Sequence, residues 1–124
     1  MEKVNQLART KAFAIAIIKL VEMLSENRIG RIIGNQLLRS GTSVGANYRA
    51  ACCSKSARDF INKLKIVEEE ADETIYWLEL LEESGLGSIE DIKPLKNEAH
   101  ELISIFVAAI KTTKRRLNEN QIQT

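Results

Sequence analysis

The sequence predicts an all-α fold: one domain over residues 1–124, built as an up-down-up-down bundle of four helices. Three observations predict it. Apolar residues recur at steps of three and four in four segments joined by short breaks. No segment alternates with the period of two that a half-buried strand shows. One Pro and six Gly in 124 residues leave few places to interrupt a helix. An apolar share of 44% suffices for a core, and an aromatic share of 5% means that Leu, Ile, Val and Ala must build most of it.

The first helix is expected from about Glu2 to Leu24, with Phe13, Ile17, Leu20 and Leu24 on its inner side. Ala14, Ile18 and Val21 widen that stripe and predict a deeply buried helix. The second is expected from about Arg28 to Cys53, its buried side marked by Ile29, Ile33, Leu37, Val44, Tyr48 and Ala51. Gly41 and Gly45 each cost about 1 kcal/mol there relative to Ala. Either the helix breaks at Ser40-Gly41 and restarts on Thr42 or Ser43, or it continues and the small residues admit a close neighbour. Continuity is the favoured reading.

The third helix is expected from about Ala57 to Ser84. Ser56 and Asp59 have the spacing of a capping box, and Phe60, Leu64, Val67, Ala71, Ile75 and Leu78 form the stripe. Gly85 is the expected stop. Ser88 to Asp91 is another capping signal, but Pro94 follows, so a short turn and a main helix over about 94–117 are expected. Leu95, Ala99, Leu102, Phe106, Ala109 or Ile110, Thr113 and Leu117 are its inner positions, and the polar tail 118–124 is expected to fray.

The net charge of +1 conceals a division along the chain. Asn27 to Arg58 holds no Asp or Glu, but carries Arg28, Arg31, Arg39, Arg49, Lys55 and Arg58. Asp59 to Asp91 holds eleven acids against Lys63 and Lys65. Such segregation suits a protein that shows different faces to different partners, and it points to binding rather than catalysis. With Arg28 at zero on the helical wheel, Arg31 and Arg49 fall near about −60° and Arg39 near about +20°, almost opposite the buried stripe. On the fourth helix Lys111, Lys114 and Arg115 also point away from the core, with Arg116 beside them. Guanidinium groups match phosphate in charge and in their fixed fork of donors. Three readings stay open for the arginine row: nucleic acid, pairing with the acidic third helix of a neighbouring subunit, or a solvated face. Cations near a helix C-terminus also complement its dipole.

Ile66 and Trp77 lie within about 20° of each other on the third helix, off its main stripe. A large aromatic there is either an anchor between subunits or a cap on the bundle edge. In the first case Gly41 and Gly45 would offer the close-packing partner.

Catalytic and metal chemistry lack their parts. His100 is the sole histidine, and Asn97 stands three residues before it where a di-iron bundle needs Glu. Glu68, Glu69 and Glu70 are consecutive and spread around the helix. No phosphate-binding glycine loop, Cys-x-x-Cys or nucleophile elbow occurs. Adjacent Cys52 and Cys53 cannot form a disulfide within a helix and read as reduced thiols of a cytoplasmic protein. The apolar run Ala12 to Ile18 is too short for a membrane span and lacks a signal-peptide cleavage site. No enzyme, cofactor, metal or membrane role is expected.

The run from Gln36 to Ala51 (QLLRSGTSVGANYRAA), with Ser56 to Leu64 and Glu69 to Leu78, resembles the signature of the bacterial 23S rRNA intervening-sequence proteins. The likeness covers nearly the whole chain and is strongest in the middle two helices. It implies a left-handed four-helix bundle that assembles as a homopentamer. That family is similar in fold to accessory proteins of diversity-generating retroelements, which are basic pentamers that bind nucleic acid and a reverse transcriptase. Neither group is known as enzymes. The combined expectation is a cytoplasmic, oligomeric, non-catalytic protein that binds structured RNA. Its contacts would be Arg28, Arg31, Arg39 and Arg49, then Lys111, Lys114, Arg115 and Arg116, with Gly41, Gly45, Ile66 and Trp77 between subunits. A scaffold for a protein partner, such as a reverse transcriptase, is the alternative.

Overall fold

The computed structural model describes the backbone of residues 3–123 and the side chains of residues 5–120. The expected start at Glu2 and the end of the tail at Thr124 lie outside them. Among the described residues the chain forms four helices and no strand: α1 (Lys3–Met23), α2 (Arg28–Cys52), α3 (Ala57–Glu83) and α4 (Ile89–Gln123). Successive helices pack side by side, and α4 closes the bundle on α1 over a shorter contact. The diagonal pair α2 and α4 meet in the centre through the rings of Tyr48 and Phe106, whose centroids are 5.6 Å apart.

Helix α2 is continuous through Gly41. Its start is capped by Asn27, whose side-chain oxygen accepts from the Gly30 N–H at 2.7 Å. The glycines face α1. A Cβ on Gly41 would lie 2.9 Å from both Cγ atoms of Ile17, and one on Gly45 would lie 3.3 Å from the Thr10 carbonyl oxygen. Both glycines therefore serve the packing of α1 on α2 within one chain. Gly41 is buried and is no part of a surface that a second copy could reach. Ile17 is β-branched and fully buried, so it cannot swing aside for a methyl group. Gly41→Ala is expected to destabilise the fold by about 1–2 kcal/mol, because overpacking outweighs the gain in helix propensity. Urea unfolding of the two proteins measures this, and a more stable variant would refute the close approach.

The inner sides of α1 and α2 differ from expectation at two places. Ile29 is 61% exposed, and Gly30 and Gly34 take the buried positions. The cause is the short turn before α2: a Cβ on Gly30 would lie 3.0 Å from the Ser25 carbonyl oxygen, and one on Gly34 would lie 3.3 Å from Leu24. Backbone against Gly30 and the Leu24 and Val21 side chains against Gly34 leave Ile29 outside. In α1, Ile15 and Ile18 are exposed, so the helix is apolar on both sides and buried on one.

Helix α3 starts on Ser56, whose hydroxyl accepts from the Asp59 N–H at 3.1 Å. It stops before Gly85, which takes a left-handed φ of +76° that a side chain would resist. The expected start of α4 near Pro94 is not found. The Ser88 hydroxyl accepts from the Asp91 N–H at 3.3 Å, and the helix runs from Ile89 straight through Pro94. In its second turn Pro94 forfeits a hydrogen bond to Glu90, which is exposed and can turn its carbonyl to water. The helix continues past Asn118 to Gln123. No Gly or Pro follows Pro94 to stop the helix, and Arg115 and Glu119 stand one turn apart at 3.8 Å.

An ion cluster reinforces the seam between α1 and α4. Arg9 donates to both carboxylate oxygens of Glu98 at 2.7 Å and to Glu101 at 2.8 Å. The hydrogen bonds from Arg9 hold the Glu98 carboxyl below its ordinary value, against the smaller opposing effect of burial. A carboxyl whose pKa is depressed by folding stabilises the fold above its unfolded value of 4.5, and that stability is lost as pH falls through the lower folded value. Glu98→Gln is expected to cost about 1 kcal/mol at neutral pH for this half-exposed pair. The gap between variant and wild type should close under more acid conditions. A gap independent of pH in urea unfolding would refute the assignment.

Candidate nucleic-acid interface

The antiparallel topology gives the bundle two ends. The α1–α2 and α3–α4 turns share one end; the α2–α3 turn, the start of α1 and the finish of α4 share the other. The acids gather at the first end: Glu22 and Glu26, then Glu79, Glu82 and Glu83 at the finish of α3, then Glu90 and Asp91 at the start of α4.

This arrangement divides the α2 arginine row. Arg28 and Arg49 are separated by about 30 Å along the helix. Arg28 and Arg31 are exposed and unpaired among the described residues, but they stand at the acidic end. Arg31 lines a groove with Glu22 and Glu26. Arg39, at mid-length, lies 3.3 Å from Glu70 and also pairs with Glu73, both on α3. The row thus does meet an acidic third helix, but at Arg39 and within the same chain. Arg49 is exposed in the last turn of α2 and lines a groove with Lys11 on the α1 side.

At the other end cations accumulate. Lys111, Lys114, Arg115 and Arg116 are all exposed on α4 as expected. Two of them fall into clefts with residues the sequence reading had not assigned to the site. Lys114 lines a cleft of about 350 Å³ with Arg58, Ile61, Asn62, Leu117 and Asn118. Arg116 lines a cleft of about 480 Å³ with Ser54, Lys55 and Asn120, floored in part by Cys52 and Phe60. Lys111 and Arg115 belong to neither cleft. Lys55 and Arg58 lie in the same acid-free run as the arginine row. The antiparallel pairing of α3 with α4 was the signal that joined them to the α4 cluster.

Among the described residues, few negative charges interrupt this end. Lys63, at 3.1 Å, and then the Lys55 backbone N–H hold the Asp59 carboxyl below its usual range, so it stays ionised beside a partner. Glu119 stands by Arg115. Cys52 and Cys53 are free thiols, and no three His, Cys, Asp or Glu side chains gather into a metal-binding group among the described residues. Burial, and then the neighbouring Cys52, push the Tyr48 phenol well up, which keeps it neutral. No described helix is long and apolar enough to cross a membrane.

The proposed subunit anchors sit on α3. Ile66 is 44% exposed. Trp77 is half-buried against the core, its ring edge-on to the exposed Tyr76 at 5.1 Å. Ile29 and Ile32 on the adjoining α2 are exposed as well.

A family model described as "23S rRNA-intervening sequence protein" matches residues 2–108. A solved structure from Bacteroides thetaiotaomicron, described as a protein with unknown function from the S23 ribosomal protein family, superposes with a TM-score of 0.80. It is 38% identical, and the match covers 85% of this chain and 97% of that one. No curated protein matches the chain.

Proposed function

The chain belongs to the 23S rRNA-intervening sequence protein family, and from that premise we propose that it is a non-catalytic, cytoplasmic protein that binds structured RNA through the basic end of its bundle. The observation that carries this reading is the separation of charge. Lys55, Arg58, Lys111, Lys114 and Arg116 are exposed at one end without an ion pair among the described residues, while the surplus acids stand at the other. Cations that no carboxylate neutralises are the ones that can release counterions from phosphate. In an oligomer each subunit repeats the same basic end, and several weak sites on one particle gain avidity without a new kind of contact.

The exposed Ile29 and Ile32 on α2, with Ile66 and Tyr76 on α3 and the half-buried Trp77 beside Tyr76, support an interface on these two helices, with a further copy of the chain as its occupant. The same face would serve a protein partner, such as a reverse transcriptase, if the protein is a scaffold instead. Binding of the purified protein to a structured RNA and to duplex DNA, across a salt series and with particle mass recorded in each buffer, separates the readings. RNA binding that weakens by about 0.9 log units per decade of salt for each phosphate contacted supports the proposal. Absence of binding at low salt refutes it.

A further inference from the structure

We propose that the two clefts at the start of α3 and the finish of α4 are discrete subsites for neighbouring phosphates of one nucleic-acid strand. This rests on the reading of the basic end as a nucleic-acid surface, and goes beyond it by naming where the phosphates sit.

The clefts are built alike. Each receives one cation from the α2–α3 turn or the first turn of α3 and one from the last turns of α4: Lys55 with Arg116, and Arg58 with Lys114. Each also receives amide or hydroxyl side chains, Asn120, Ser54, Ser56 and Thr113 in one, Asn62 and Asn118 in the other. Leu117 lines both and forms the ridge between them. Among the described residues no carboxylate lines either cleft.

Two further observations set the clefts apart from a diffuse charged surface. The Ser54 hydroxyl oxygen is buried and has no hydrogen-bond partner among the described residues. A buried hydroxyl left unsatisfied costs roughly 1–3 kcal/mol, a cost that an acceptor reaching into the larger cleft would remove. In addition, Lys111 and Arg115 share the helix end but line neither cleft, so charge alone does not define the arrangement. Leu117 lines both clefts, so they adjoin, which suits neighbouring phosphates of one strand better than two unrelated anions. A guanidinium in each cleft supplies a fork of donors, and an ammonium supplies a compact charge opposite it.

The test compares equal losses of charge at the same end of the protein. The probe is a 5′-phosphorylated single-stranded RNA of about ten nucleotides, titrated by fluorescence anisotropy at 150 mM salt. Arg58→Gln with Arg116→Gln removes one cation from each cleft and is expected to weaken binding about 15-fold, since a salt slope of about 0.7 per contact is worth roughly 0.6 log units each at this salt. Lys55→Gln with Lys114→Gln removes the other pair and is expected to do the same. Lys111→Gln with Arg115→Gln removes the same formal charge from the surrounding basic surface, where Arg115 already stands by Glu119, and is expected to weaken binding less, by about fourfold for the one cation of the two that is free among the described residues. Similar losses in all three variants would overturn the clefts while leaving the basic end intact as a diffuse surface. A wild-type protein that fails to bind the probe or a structured RNA at low salt would overturn both readings together.

Discussion

Reversing Arg58, Lys114 and Arg116 to glutamate is expected to lower affinity for structured RNA more than about 100-fold at physiological salt, with the helical bundle intact. Three lost phosphate contacts account for about two log units by counterion release, and the new carboxylates add repulsion. All three side chains are exposed, so the fold loses little. A glutamate at position 58 enters the first turn of α3, where negative charge is favourable. Glutamates at 114 and 116 stand near the finish of α4 and cost a few tenths of a kcal/mol each. The matched control is Arg28→Glu with Arg31→Glu, expected to change affinity less than about threefold because those residues already stand among acids. Equal sensitivity at both ends, read by filter binding alongside helicity, would mean that the arginine row on α2 acts as one surface.

Phe106→Ala is expected to destabilise the fold by about 3–5 kcal/mol. Phe106 is fully buried and joins Tyr48 across the centre, where the diagonal helices α2 and α4 come together. Truncation leaves a cavity lined by residues of several helices, and it removes a ring pair worth roughly 1 kcal/mol beyond its area. With few aromatics in the chain, no other large side chain stands ready to fill the space. Domains of this kind have about 5–15 kcal/mol in total, so the variant should unfold at markedly lower urea or temperature. A loss below about 1 kcal/mol would mean that the bundle centre can collapse around the cavity.

The architecture was legible because helical periodicity is a strong signal, and the inner residues of α4 follow it from Leu95 to Ile110. What escaped the pattern has local causes. Ile29 matches the stripe by spacing, but the turn before α2 brings backbone against Gly30 and the Leu24 side chain against Gly34, and a wheel cannot show which neighbour crowds which face. Pro94 reads as a boundary, although the Ser88 cap and an exposed Glu90 let the helix run through it. For the site, residue type was legible and grouping was not. The cations of α2 share a wedge on the wheel, yet length along the helix assigns Arg28 and Arg31 to one end and Arg49 to the other. Arg39 is neutralised by Glu70 and Glu73, a pairing that depends on the α2–α3 register. The same logic run forward unites Arg58 with Lys114 and Lys55 with Arg116, since antiparallel neighbours bring the start of one helix to the finish of the next.

The central claim is that the basic end is the nucleic-acid surface, and photocrosslinking tests it most directly. The complex with a structured RNA carrying 4-thiouridine would be irradiated and digested, and the adducts located by mass spectrometry. The account predicts adducts on peptides spanning Ser54 to Lys63 and Lys111 to Asn120, with few on Glu22 to Asn35. Adducts concentrated along Arg28 to Arg39, or on the acidic turn between α3 and α4, would contradict it.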